Sequence, residues 1–244
     1  ESITDEQSER SITKYDIKTS HIDSKIYHLI DKLSSQDLIT STLKSNNFDS
    51  EKMPLGALGI TQVTQGRLIL TKIKSLIDTE SDDIDMFESL SSQYYSIVPC
   101  NFGKEKRLPN IDILDRYEEL NCNLDALEDI IMAGDVIKLS KSADSSINPI
   151  DAIYNSLGVK LSMIDDDSEI FDIIKSWMRN TRGSTHSYKS MTPSIIYEVH
   201  STNKIYESKF GHYTNKTLLW HGTRMINILN IFKNGLIIKT SWSS

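Results

Sequence analysis

The chain has 244 residues, room for one large domain or two ordinary ones. Hydrophobic residues make up 38% and charged residues 25%, and Leu and Ile recur at regular spacing in several segments, which excludes a wholly disordered chain. The net charge is −7 with no long basic run, so the stretch is a poor direct binder of duplex DNA, and no apolar run approaches bilayer length.

Residues 1–20 are polar, carry no clear period and read as a tail or interdomain linker. The first residues, Glu1-Ser2-Ile3, contain neither an initiator Met nor a signal peptide, as expected of a chain excerpted from something longer. From His21 the spacing of Ile22, Ile26, Leu29, Ile30 and Leu33 predicts a helix, which Ser34 and Ser35 interrupt. Leu38, Ile39 and Leu43 predict a second short helix ending near Asn46-Asn47. After the breaker-rich turn Met53 to Gly59, Thr61 is the expected N-cap of a long amphipathic helix carrying Val63, Leu70, Ile73 and Ile77 inward and Lys72 and Lys74 outward.

Another helix is expected from Asp83 to Ser96, with Ile84, Phe87, Leu90 and Tyr94 inward and Pro99 ending it. A loop spans Cys100 to Asn110. From Asp112 a long helix returns with a seam of Ile113, Tyr117, Leu120, Leu124, Leu127 and Ile131. Residues 21–138 therefore read as an all-α helical bundle. Cys100 and Cys122 lack CxxC spacing and a nearby His, so they read as packing residues in a reducing compartment, with no metal site.

The small polar run Ser140 to Ser146 marks a linker and a domain boundary. Beyond it the periods mix, as in an α+β region. Val159 to Ile164 alternates with period two and predicts a strand; Asp165 to Ser168 caps a helix with Ile170, Ile173, Ile174 and Trp177 inward. Ser194 to His200 predicts a second strand, and Lys216 to Trp220 a third, buried one. His221-Gly222-Thr223 breaks it. A helix from Met225 to Lys233 follows, closed by a left-handed Gly235, with Leu236-Ile237-Ile238 as the next strand.

Chemistry concentrates at Leu218 to Arg224. A glycine at a strand end lets a ligand approach the backbone, because no Cβ stands in the way. The free N–H and C=O expected there can grip a planar amide edge-on, and the adjacent His221 imidazole can hydrogen-bond a sugar hydroxyl. On these residues alone, a plain strand-to-helix turn with an incidental His is the favoured alternative. His186 is a second candidate and reads more readily as a structural hydrogen bonder. Asp165-Asp166-Asp167 reads as a solvated helix start, not a metal site, and no phosphate-cradling Gly-rich loop exists.

Leu219-Trp220-His221-Gly222-Thr223-Arg224, followed by Asn227 and Gly235-Leu236, resembles the NAD-binding signature of poly(ADP-ribose) polymerases, LWHGSR then N then GL. Met53-Pro54-Leu55-Gly56 with Leu58, and Tyr94 to Pro99 with Phe102-Gly103, resemble stretches of that family's helical regulatory domain. Asn148 to Asp151 with Tyr154 and Leu157 resembles the D-P-x-D-x-x-Y-x-x-L entry to its catalytic domain; Asp165 to Ser168, Asn180-Thr181 and Thr185-His186 follow the next segment. The resemblance covers nearly everything from His21 to Ile238, in order, and the helical domain points to the DNA-damage-responsive branch.

The resemblance implies a tail or linker at 1–20, a helical regulatory domain at 21–143, and the N-terminal part of a truncated α+β ADP-ribosyltransferase domain at 144–244. It implies NAD as substrate, release of nicotinamide, and transfer of ADP-ribose to acceptor proteins. Gly222 is implied to hold the nicotinamide carboxamide, His221 the adenine-side ribose hydroxyls, and Thr223 to keep the role of the usual Ser. The family's stacking Tyr and catalytic Glu lie past this signature, so no catalytic residue is expected within the chain and the Glu is expected beyond Ser244; the isolated fragment is expected to be nearly inactive. The family also implies a nuclear protein with an autoinhibitory helical domain, touching DNA only through domains outside this chain. The rival reading is a non-catalytic helical interaction module with a transferase remnant.

Overall fold

The computed structural model describes residues 19–49, 59–101, 109–141, 147–181, 192–202 and 211–236. The expected tail up to residue 18, the turn at 51–58, most of the linker at 140–146, His186 and Ile237-Ile238 lie outside the described residues.

Local capping chemistry fixes where each helix begins. Helix α1 spans Ser24–Leu33, and Asp23 caps it by accepting the Lys25 and Ile26 N–H groups. The capping carboxylate thus moves the start three residues past His21. Helix α2, Gln36–Ser45, is capped by Ser35, whose Oγ accepts the Leu38 N–H. Helix α3, Ile60–Asp78, has Gly59 as its N-cap and not Thr61 as expected. Gln62 reaches back to accept the Gly59 N–H at 2.6 Å, one half of a capping box, and leaves Thr61 in the first turn. Helix α4, Ile84–Ile97, is capped by Asp83, and helix α5 spans Leu114–Lys141.

Two residues of the bundle expected inward point outward. Ile84 is 67% exposed and Ile113 58% exposed. Both lie at the very start of a helix, where the chain is still turning onto the bundle, and Ile111 is buried in place of Ile113. Ser91 secures that entry by accepting the buried Ile111 N–H at 2.9 Å.

The bundle core joins Ile30, Leu33, Ile39, Leu70, Ile73, Tyr94, Leu120, Leu124 and Leu127. Helices α3 and α5 pack together at Gly66, where an added Cβ falls 3.0 Å from Val98, at the end of α4, and 3.3 Å from Leu124 of α5. The α+β part begins with helix α6, Pro149–Ser156, which the mixed periods did not predict. Its N-cap is Asn148, and it packs on α5 and α1. Asp151 is buried there and accepts the Ser20 hydroxyl at 2.5 Å and the His21 N–H at 2.8 Å. The Tyr154 hydroxyl accepts the Leu161 N–H at 2.8 Å and so fixes the first strand to α6.

Strand β1, Val159–Ile164, pairs antiparallel with β2, Ile196–Ser201, from Val159 opposite Ser201 to Ile164 opposite Ile196. Helix α7, Glu169–Asn180, is capped by Ser168 and buries Phe171, whereas the expected inward Ile170 and Ile173 are exposed. The described sheet is only two strands wide and leaves that stripe uncovered.

The expected third strand is not formed. Residues 216–220 have no strand partner among the described residues, and Leu218 and Leu219 are 75% and 79% exposed. A strand exists only when a neighbour satisfies its N–H and C=O groups, which periodicity does not supply. A 3-10 turn, Met225–Asn227, leads into helix α8, Ile228–Asn234, and buried Ile226 and Leu229 join the bundle core against α5. Gly235 closes α8 at φ 77°, a conformation that favours glycine, and its N–H donates to the Ile231 carbonyl at 2.8 Å. The architecture is a helical bundle followed by an α+β part. Among the described residues no helix is long and apolar enough to cross a membrane.

Cys100 is half-buried, while Cys122 is exposed on the polar side of α5, not packed as expected. Burial pushes the Cys100 thiol up to about 12, with Arg116 opposing the shift. At pH 8 a maleimide is expected to label Cys122 and to spare Cys100 until the protein unfolds; equal labelling rates contradict the packing. The raised folded value means that the neutral Cys100 thiol contributes stability fully below pH 9, and that this is lost as pH climbs towards 12. Cys100→Ala is expected to flatten that alkaline loss. Gly66→Val is expected to lower unfolding free energy by about 2 kcal/mol through overpacking between α3 and α5; an unchanged urea midpoint contradicts the close helix contact.

Candidate functional site

Helix α5 buries one stripe of side chains in the bundle and presents another to a groove of about 560 Å³. Cys122, Asp125, Glu128, Asp129 and Met132 recur on this second stripe at helical spacing and form one wall. The facing wall is His221, Gly222, Thr223 and Arg224, continued by Asn227 and Ile231 of the turn and α8. The structure therefore brings the three sequence-predicted binding residues together on one side of a single groove.

Several contacts hold the 221–224 segment in place of a strand ladder. The Trp220 indole N–H donates to the Thr181 hydroxyl at 2.8 Å, and the ring stands 4.9 Å from that of Trp177, tilted by 39°. The Thr223 hydroxyl accepts from the Asn227 amide at 3.2 Å. Arg224 donates through Nη1 to Oδ1 of Asn46, at the end of α2, at 3.3 Å. Asn46 is itself buried and donates to the Thr42 carbonyl, so the Arg224 contact joins the segment to the bundle.

At Gly222 an added Cβ meets nothing within 4 Å among the described residues, which leave the space beside this backbone open. His221 is exposed. The corner offers an unobstructed peptide edge flanked by an imidazole and a hydroxyl, the donors and acceptors that a planar amide and a polyol need.

The opposite wall is acidic. Arg67 of α3 binds Asp125 at 2.5 Å and Glu128 at 3.0 Å, and donates to Asn121 at 3.3 Å. Burial alone would lower the Arg67 pKa, but the hydrogen bond and charge of Asp125, then those of Glu128, outweigh it and hold the guanidinium above its ordinary value. The carboxylates of Asp125 and Glu128 are thus shared between the bundle and the groove, which Asp129 also lines. Sequence reasoning assigned the apolar seam of α5 and missed this wall. The signal was present as acidic residues at positions 125, 128 and 129, three and four apart on the helix.

Residues 20–154 match the family model described as the poly(ADP-ribose) polymerase regulatory domain, and residues 168–243 match that of the poly(ADP-ribose) polymerase catalytic domain. Poly [ADP-ribose] polymerase of Drosophila melanogaster is 29% identical over 222 residues, covering 90% of this chain and 22% of the fly protein. Poly [ADP-ribose] polymerase 1 of Caenorhabditis elegans is 33% identical over 202 residues, 81% of this chain and 21% of the worm protein. Protein mono-ADP-ribosyltransferase PARP3 of Gallus gallus is 27% identical over 232 residues, 94% of this chain and 43% of the chicken protein. The chain spans about a fifth of the fly and worm relatives. With a regulatory-domain match over more than half its length and a catalytic-domain match over most of the rest, the chain belongs to the poly(ADP-ribose) polymerase family.

Proposed function

We propose that this chain is the regulatory and nicotinamide-binding part of an enzyme that transfers ADP-ribose from NAD to acceptor proteins and releases nicotinamide, acting in the nucleus in response to DNA damage. The regulatory part is residues 21–143 and the transferase part begins at 144. The observation that carries this reading is the open backbone edge at Gly222, beside His221 and Thr223.

Gly222 holds the nicotinamide carboxamide through its N–H and C=O, which a side chain there would block. His221 bonds the adenine-side ribose, and Thr223 places its hydroxyl alongside. These groups orient NAD and restrain it near the reactive geometry. Cleavage of the bond between nicotinamide and ribose leaves positive charge on the ribose in the transition state. A carboxylate aimed at that charge supplies the remaining stabilisation; on this reading it lies outside this chain, and any contact with DNA is made through domains outside this chain.

The acidic wall of α5 supports a restraining role for the bundle. NAD carries a pyrophosphate, and an anion placed opposite the carboxylates of α5 is repelled to the extent that Arg67, which pairs with Asp125 and Glu128, leaves their charge uncompensated. Moving α5 away relieves the repulsion, so the bundle gates NAD entry.

In the full-length protein, Gly222→Val is expected to abolish NAD binding measured by calorimetry, whereas unchanged affinity refutes the site and favours the non-catalytic module. Deleting residues 21–138 is expected to raise DNA-independent turnover, and Asp125→Asn combined with Asp129→Asn to raise it in part. Basal rates at or below those of the parent protein in both variants contradict the gate.

A further inference from the structure

We propose that Trp177 and Thr181 are positioning residues for the transferase reaction: the C-terminal end of α7 clamps Trp220 and thereby sets where the Gly222 backbone lies. The proposal rests on the reading of Gly222 as the nicotinamide-holding residue.

Residues 216–220 have no ladder partner among the described residues, and Leu218 and Leu219 are exposed, so none of the described residues fixes the segment by sheet pairing or by burying those side chains. Among the described residues the segment is held at Trp220, which is itself 50% exposed. Its ring lies 4.9 Å from Trp177, within the range of favourable offset aromatic pairs. Its indole N–H donates to the Thr181 Oγ1 at 2.8 Å. That hydroxyl in turn donates to the Trp177 carbonyl at 2.8 Å, which commits its proton and leaves a lone pair directed at the indole. The Thr181 backbone N–H also donates to the Trp177 carbonyl, as the C-cap of α7. One hydroxyl therefore couples the last turn of α7 to the residue two positions before Gly222.

On the far side, Arg224 is held by Asn46. His221, Gly222 and Thr223 span the short distance between these anchors. An indole that drifts carries the Gly222 N–H and C=O away from the amide they hold. Because those bonds serve bound substrate and transition state alike, the loss falls on KM and not on kcat.

The test uses the full-length protein with Thr181→Val, which keeps the shape and removes the hydroxyl; Thr181→Ser, which restores it; and Trp177→Ala. Thr181→Val is expected to raise KM for NAD about three- to tenfold, the size of one net hydrogen bond, with kcat within about twofold of the parent. Thr181→Ser is expected to return KM to the parent value. Trp177→Ala is expected to raise KM and to abolish the far-ultraviolet exciton couplet of the paired indoles. If Thr181→Val perturbs folding, the Trp177→Ala comparison decides the matter alone. A parent-like KM in either variant, with the couplet lost in Trp177→Ala, overturns the positioning role. Gly222→Val separates the two claims: if it abolishes NAD binding while these variants behave as the parent, the site stands and only the clamp is wrong; if it leaves binding intact, the site itself is wrong.

Discussion

The structure depends on the burial of α5. This helix of 28 residues runs for about 42 Å at the usual rise per residue. Leu120, Leu124, Leu127, Ile130 and Ile131 bury along one side of it, and α3 comes close enough to need a glycine at position 66. The same core then extends through Ile153, Leu157, Val159, Leu161, Ile226 and Leu229, so the helix that organises the bundle also carries the α+β part. Its remaining polar stripe faces Gly222 across the groove. A displacement of α5 therefore changes the bundle and the groove together, which is the physical basis for reading one as a control on the other.

Much of the helical part was legible in the chain, and for a specific reason. Apolar residues spaced three and four apart have one good solution, and Asp23, Ser35, Asp83 and Ser168 mark helix starts by their own side-chain chemistry. Errors arose where position along a helix, and not period, decides burial: Ile84 and Ile113 sit at helix entries and face outward. Helix α6 escaped notice because it spans only eight residues after a polar linker, although Ile150, Ile153, Tyr154 and Leu157 recur at spacings of three and four and pack on the core. Asp151 is buried on account of the Ser20 and His21 donors, a pairing across 131 and 130 positions that no local window contains.

The strand expected at 216–220 failed for a different reason. Its sequence, Lys216-Thr217-Leu218-Leu219-Trp220, has the composition of a buried strand, but a strand is a property of a pair. The candidate site divides in the same way. His221, Gly222 and Thr223 stood out because glycine beside polar groups at an abrupt break is visible locally. The acidic wall, the Arg67 ion pairs and the Arg224–Asn46 contact come from elements far apart in the chain and emerged only from packing.

The central claim is that an open peptide edge at Gly222 receives the nicotinamide end of NAD. Diffraction from crystals of the full-length protein soaked with nicotinamide tests it most directly. The account predicts density for the carboxamide against the Gly222 N–H and C=O, with His221 free to face the groove. Nicotinamide bound elsewhere, or a Gly222 corner filled by a neighbouring side chain with the His221 imidazole turned into the interior, would contradict it.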